Sequence, residues 1–308
     1  MIEATAPAKI ILFGEHAVVY GYPAIAVPVS ALRTRVQVRP AQQGELRLFA
    51  GTPPHLLDLE SIPSLREAVV QTISRTAHAC GHPEPILDVT VQSDIPIAGG
   101  LGSGAALSAA LARAVSLFLQ TKLDQSTLNQ IVYEVEKIHH GTPSGIDNTV
   151  IVYEQAIFFV RDQPIESVRI ASPFSLLIAD TGISASTRTA VADVRLLVES
   201  QPEMALPVLR AIGDLVVEAK QALADGDLIQ LGWLMNRNHD YLKMLTVSSP
   251  ELDCLVNAAQ SAGALGAKLS GGGRGGNMIA LASTDRVSQV EKALLAAGAA
   301  RVFHTIVH

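Results

Sequence analysis

Two stretches of this chain carry enough glycine to wrap a phosphate. The first is Gly99-Gly100-Leu101-Gly102-Ser103-Gly104-Ala105, inside "DIPIAGGLGSGAALSAALARAVSLF", where an extended segment turns into a run of alanine and leucine. The first N–H groups of a helix have no intrahelical partner, and with the macrodipole they favour an anion at that end. Glycines let the anion approach the main chain. The second stretch, "LSGGGRGGNMIAL", offers backbone N–H groups from Gly271 to Gly276. Arg274 interrupts it: a guanidinium facing inward would clamp a phosphate, and one facing outward would be an ordinary solvated side chain.

Which phosphate the first loop holds is decided by its surroundings. Gly100 to Ala105 satisfies the dinucleotide pattern G-x-G-x-x-G/A. A dinucleotide fold needs a second strand straight after the helix and an acidic residue about 20 positions on. Asp124 lies near that offset, but "QSTLNQIVYEVEK" after it reads as helix. A Walker loop fails too, because Ala105 and Ala106 stand where a lysine and a hydroxyl should follow. A glycine turn that only packs a helix tightly stays open as an alternative.

Two charged residues stand out elsewhere. Lys9 sits inside the apolar "AKIILFG", where burying an unpaired lysine would be expensive. Glu136 lies on the rim of the helical stripe Ile131, Val132, Val135, Ile138, where a carboxylate can face a cleft. The alternative for Glu136 is a solvated contact with His140, four residues on.

The elements that must position these residues come from patterning. Residues 34–39 alternate Thr34, Val36, Val38 with Arg35, Gln37, Arg39, as on a half-buried strand, and "ILDVTVQSDIP" alternates likewise. Residues 62–80 read as helix. Ser103 or Gly104 would cap a helix of about 16 residues, and Ser126 would cap the next, which stops at "GTPSG". "IDNTVIVYEQAIFFV" reads as two strands about a turn near Glu154-Gln155. A junction is expected in residues 161–173, dividing the chain into domains 1–168 and 169–308. Beyond it come the strand "FSLLIAD", several helices between 186 and 263, the strands "AKLSG" and "NMIALA", a helix, and the strand "RVFHTIVH".

Composition narrows the function further. With 308 residues, 48% of them hydrophobic and 17% charged, the chain can bury a large core in two domains. A net charge of −6 argues against a nucleic-acid partner and suits a small substrate whose charge is met locally. Cys80 and Cys254 lack metal-ligand spacing and are expected to be buried free thiols in a reducing cytoplasm. No signal-peptide pattern opens the sequence, and no apolar run reaches the ~18 residues of a membrane span. The expectation is a cytoplasmic protein with no membrane partner.

The loop "PIAGGLGSGAALSAAL" resembles the "P-x-x-x-G-L-[GS]-S-[GS]-A-A" loop of the GHMP small-molecule kinases. Four further segments are similar to the mevalonate kinase family within them: "PAKIILFGEHAVVYGYPAIAVPV", "EKIHHGTPSGIDN", "DTGISASTRTAVADVR" and "KLSGGGRGGNMIAL". Together they span the chain.

This resemblance implies an α+β, two-domain GHMP-kinase fold. Its N-terminal domain would be like ribosomal protein S5 domain 2 and its C-terminal domain ferredoxin-like, with the active site in the interdomain cleft. It implies ATP and Mg2+ as cofactors, mevalonate as the small-molecule substrate and a possible homodimer. Gly99, Gly100, Leu101, Gly102, Ser103, Gly104 and Ala105 would cradle the ATP phosphates. Glu136 would bind the metal; Gly104 stands where relatives carry a metal-binding serine, so either Ser103 or water takes that place. Asp147 matches the catalytic aspartate and Lys9 the lysine beside it. If they pair, the carboxylate becomes a weaker base and a better-defined acceptor for the substrate hydroxyl. Glu15, His16, Ser144, Thr187 and Gly272, with Lys9 and Asp147, would form the substrate pocket. The alternatives are another GHMP kinase acting on phosphomevalonate, homoserine or a sugar, the related decarboxylase, or a catalytically silent sensor of the same fold.

Overall fold

The computed structural model describes residues 1–50, 55–57, 62–96, 99–140 and 143–308. They group into two compact units that interleave along the chain: residues 1–9 with 28–154, and residues 10–27 with 155–308. β1 (Ile2–Phe13) and β2 (Ala24–Pro40) each contribute residues to both units.

The first unit adds β3 (Leu46–Ala50), β4 (His55–Leu56), α1 (Pro63–Ala79), β5 (Leu87–Ser93), α2 (Ser103–Phe118), α3 (Gln125–His140) and α4 (Ile146–Tyr153). Its strands run in the order β4-β3-β5-β2, and β1 also pairs with β2. The alternation seen in sequence sets the register: Thr34, Val36 and Val38 lie opposite Ser93, Val91 and Val89, all buried, while Arg35 and Arg39 are exposed. Helix α2 packs against α1, α3, α4 and β5. Its residues Ala105 to Ala112 are buried without a break, and small side chains allow neighbours to approach from several sides.

Three local expectations change here. Residues 146–153 form helix α4, although Thr149, Val150, Ile151 and Val152 favour a strand. Ile146 and Asn148 through Val152 are all buried, so the segment shows no polar face from which a period could be read. Arg113 on α2 closes the far end of α4, donating to Val152 O at 2.8 Å and to the Glu154 carboxylate at 2.8 Å. The cap of α2 is Gly102, in the left-handed region at φ 76°, and Ser103 is its first helical residue. Asp124, not Ser126, caps α3: its carboxylate accepts from Thr127 N at 2.8 Å and from Thr127 Oγ1 at 2.9 Å.

The second unit contains β6 (Ile157–Phe159), β7 (Glu166–Ser167), β8 (Phe174–Asp180), α5 (Thr187–Ser200), α6 (Pro202–Asp225), α7 (Leu228–Met244), α8 (Pro250–Ser261), β9 (Gly266–Ser270), β10 (Asn277–Ala282), α9 (Val287–Ala296) and β11 (Arg301–Val307). β11, β8, β10 and β9 form an antiparallel sheet in that order. β6 joins the first residues of β2 to β7. Helix α7 lies so close to β9 that a Cβ on Gly266 would fall 2.2 Å from Gly232 O, which only glycine permits. Leu177, Leu209, Ile212, Leu242, Leu252 and Leu269 belong to one continuous core. Both cysteines are free, as expected, but Cys80 is half-buried and Cys254 exposed. Among the described residues no helix is long and apolar enough to cross a membrane.

Candidate active site

In the first unit the glycine loop lies on Lys9. Lys9 N donates to Leu101 O at 3.0 Å. A Cβ on Gly102 would stand 2.8 Å from Ile151 Cδ1 and 3.0 Å from Lys9 Cγ. Leu101 is buried beneath this turn. The first backbone bond inside α2 runs from Ala106 N to Gly102 O at 2.9 Å, and among the described residues its N-cap, Gly102, supplies no side-chain bond to that end. The amides of Ser103, Gly104 and Ala105 therefore begin a long helix without a side-chain acceptor, which is what an anion requires.

Lys9 Nζ lies 3.0 Å from Asp147 Oδ1. The lysine side chain is 6% exposed and the aspartate 32%, so the pair is sealed on one side and open on the other. Asp147 stands in the first turn of α4, where the helix dipole favours a carboxylate. Its neighbour Asn148 donates to Asn129 Oδ1 on α3 at 2.7 Å, fixing α4 to α3. Ser144 Oγ accepts from Ile146 N at 3.3 Å and so helps turn the chain into α4. Glu136 is buried on α3, and its affinity for a proton is raised to about 7, first by burial and then by the Asp147 charge, with Lys9 opposing. The side chain of His140, its expected neighbour, lies outside the described residues, as do Ile97 and Ala98 of the loop.

The second unit gathers another cluster. Glu15 and Lys268 form an ion pair with no exposure of either side chain, and Lys268 Nζ also donates to Leu269 O at 2.7 Å. Burial pushes Glu15 upward and Lys268 downward, while each charge opposes the other's shift. The resemblance assigns Glu15 to the substrate pocket; its Oε1 accepts from Lys268 inside the unit. Next to it, His16 takes a positive φ of 61° and places Nε2 3.0 Å from Gly272 O. A carbonyl only accepts, so Nε2 carries the hydrogen and Nδ1 is a bare acceptor. Burial, with the Arg274 and Lys268 charges adding to it against the Gly272 bond, lowers the ring to about 4, so it is neutral near pH 7.

Thr187 opens α5, and a Cβ on Gly272 would fall 2.9 Å from Thr187 Oγ1. His16, Gly272 and Thr187 are thus brought together. Arg274 takes neither predicted role: its guanidinium pairs with Asp193 of α5 and reaches Thr246 O at 3.3 Å. Two amides of this glycine loop are likewise spent internally, Arg274 N on Val247 O at 2.8 Å and Gly276 N on Ile183 O at 2.9 Å.

Lys268 escaped the sequence reading. The signal that singled out Lys9, a lysine inside a short apolar strand, is equally present in "GAKLS". His239 and Asp253 escaped too. His239 Nδ1 accepts from Leu269 N at 3.3 Å and its Nε2 lies 3.2 Å from Asp253 Oδ1, tying α7 and α8 to β9.

A glycine-led helix beside a lysine–aspartate pair, on an α+β fold of two units, is an arrangement suited to phosphoryl transfer without a Walker lysine. The family described as GHMP kinases N terminal domain matches residues 67–155, and GHMP kinases C terminal matches residues 219–300. The mevalonate kinase of Pyrococcus horikoshii is 36% identical over an alignment covering 96% of this chain and 93% of that protein. The mevalonate kinase of Thermococcus gammatolerans is 37% identical, with 96% and 93% covered. The crystal structure of L. major mevalonate kinase in complex with R-mevalonate superposes with a TM-score of 0.88 at 31% identity, covering 99% of this chain and 95% of that one. The chain belongs to the GHMP kinases and, within them, to the mevalonate kinase family.

Proposed function

We propose that this protein is an ATP-dependent mevalonate kinase, forming 5-phosphomevalonate and ADP from (R)-mevalonate. The observation that carries the reading is the Lys9–Asp147 pair, half open to solvent and packed against the uncapped N-terminus of α2. Phosphoryl transfer through a loose transition state depends on positioning and on meeting spread negative charge. The amides of Ser103, Gly104 and Ala105 would hold phosphate oxygens. Asp147 would accept a hydrogen bond from the substrate's primary hydroxyl, aiming its oxygen at the γ-phosphorus. As that O–P bond forms and the β,γ-bridging P–O bond breaks, the hydroxyl proton moves to Asp147 or to a phosphate oxygen. Lys9 would keep Asp147 in place and oppose the growing charge.

Mg2+ fits the residues present. It prefers oxygen ligands and takes only one or two carboxylates beside phosphates and water. Glu136 supplies a buried carboxylate whose proton affinity, raised by burial and by Asp147, a cation would relieve, and Ser103 supplies the loop's hydroxyl. Bound there, the ion would neutralise phosphate charge. In the second unit His16, Thr187 and Gly272 are assigned to the alcohol substrate. Since His16 is neutral, it offers a hydrogen bond and no charge.

ADP release with (R)-mevalonate, homoserine, galactose and 5-phosphomevalonate tests this reading. Turnover is expected with (R)-mevalonate alone. Preference for another substrate would overturn it, and ATP binding with no turnover of any would favour a sensor.

A further inference from the structure

We infer that Lys268 is a positioning residue: with Glu15 it fixes the positive-φ turn at His16 against the Gly271–Gly276 loop, and through that turn sets affinity for the alcohol substrate. The inference rests on the proposed function only where it names that substrate.

A buried ion pair is weak evidence for stability, since desolvation offsets much of its attraction and an apolar pair of similar volume often does as well. What it provides here is direction. Glu15 and Lys268 are 253 positions apart and both side chains are sealed, so the pair joins the His16 turn to β9 at one defined point. His16 needs that restraint. A φ of 61° is uncommon outside glycine and persists only where the surroundings over-determine it.

The other restraints converge on the same turn. Gly14, at φ 97°, packs so closely that a Cβ would fall 2.5 Å from Pro23 O. Ser270 Oγ donates to Ile11 O at 2.7 Å. The His16 ring reaches Gly272 O, and Gly272 abuts Thr187. His239 holds β9 at Leu269 N, one residue beyond Lys268. Within this set the Glu15–Lys268 contact is the ion pair, and its loss would let the turn relax away from Gly272.

The test separates position from stability. Lys268→Met alone should lower Tm, because Glu15 is left buried and unpaired. The double variant Glu15→Leu/Lys268→Met should recover most of that Tm. Its KM for (R)-mevalonate should still be at least about tenfold raised, with KM for ATP within about twofold of wild type. NMR of the His16 ring gives a readout independent of turnover: its Nε2–H should lose the signature of the bond to Gly272 O, which removal of the Lys268 charge alone would leave in place. Wild-type KM for mevalonate in a folded double variant, or an equal rise in KM for ATP, would overturn the inference. If the double variant does not fold, the near-isosteric Glu15→Gln is read by the same KM split, and an unchanged KM for mevalonate overturns it. If the wild type fails to phosphorylate mevalonate, the proposed function falls and the His16 Nε2–H signal decides this inference alone; an unchanged signal would contradict it.

Discussion

Lys9 and Lys268 are the same solution used for opposite ends. Each stands among apolar residues of a strand, each is almost wholly buried, and each pairs with a carboxylate from a distant part of the chain. The difference is the partner. Asp147 is 32% exposed and Glu15 not at all. A carboxylate that is partly open can receive a hydrogen bond from a substrate, whereas that of Glu15, sealed against Lys268, holds protein to protein. Burial of the anion, more than the presence of the pair, therefore assigns chemistry to the first unit's pair and geometry to the second's.

The largest effect should come from breaking the open pair. Lys9→Met leaves Asp147 partly solvated, so the fold should survive while kcat falls by roughly 10²–10⁴-fold in steady-state assays. Wild-type kcat in that variant would remove Lys9 from the chemistry. Breaking the sealed pair should act on stability first: Lys268→Met is expected to cost about 3–5 kcal/mol in denaturant unfolding, the scale for orphaning a buried charge. Glu136→Gln should raise the half-saturating Mg2+ concentration by roughly 10–100-fold, the scale on which disturbing a metal site weakens it. An unchanged Mg2+ requirement would place the ion elsewhere.

Acid should separate the units in another way. His16 and His239 both belong to the second unit, and each ring is held at about 4, below the ordinary 6.5, chiefly by burial. The unfolded chain then binds more protons than the folded one between these values. Their contribution is fully present above about pH 6.5 and is lost as pH falls toward 4, by up to about 1.4 kcal/mol per pH unit for each ring. Urea unfolding across that window should show this loss less the opposite contribution of Glu136, whose raised proton affinity favours the folded state as pH falls. His239→Gln should shift the slope by one ring's share, and an unchanged slope in that variant would contradict the neutral assignment. The smallest effect belongs to Ser249→Ala. Ser249 accepts from Leu252 N at 3.3 Å to cap α8, and its loss should cost about 1 kcal/mol with kinetics unchanged.

Sequence patterning carried much of this fold because most elements have one wet face. The alternation of β2 and β5 and the stripe of α3 reflect such faces. It failed at α4, where burial on nearly all sides erases the period and β-branched residues point to a strand. It failed at the caps of α2 and α3 by a residue or two, since Gly102 and Asp124 compete with equally suitable neighbours. At the site, the glycine loop, Lys9, Glu136 and Asp147 lie within one unit, and the structure brings them together. Glu15 was singled out by resemblance, but its burial could not be read from a turn containing "GEHAVVYG". Lys268 was legible in principle, by the same cost argument as Lys9, and only its partner identifies what it does. Arg274 was ambiguous because nothing local reveals Asp193, 81 positions away.

The division between an open reactive pair and a sealed positioning pair is tested most directly by two near-isosteric changes measured side by side. Steady-state kinetics of Asp147→Asn and Glu15→Gln, with both substrates varied, would separate the two roles. The account predicts that Asp147→Asn loses kcat by orders of magnitude with ATP affinity nearly intact. It predicts that Glu15→Gln raises KM for mevalonate with kcat within a few-fold of wild type. Wild-type kcat in Asp147→Asn, or a loss in Glu15→Gln that falls on kcat alone, would contradict it.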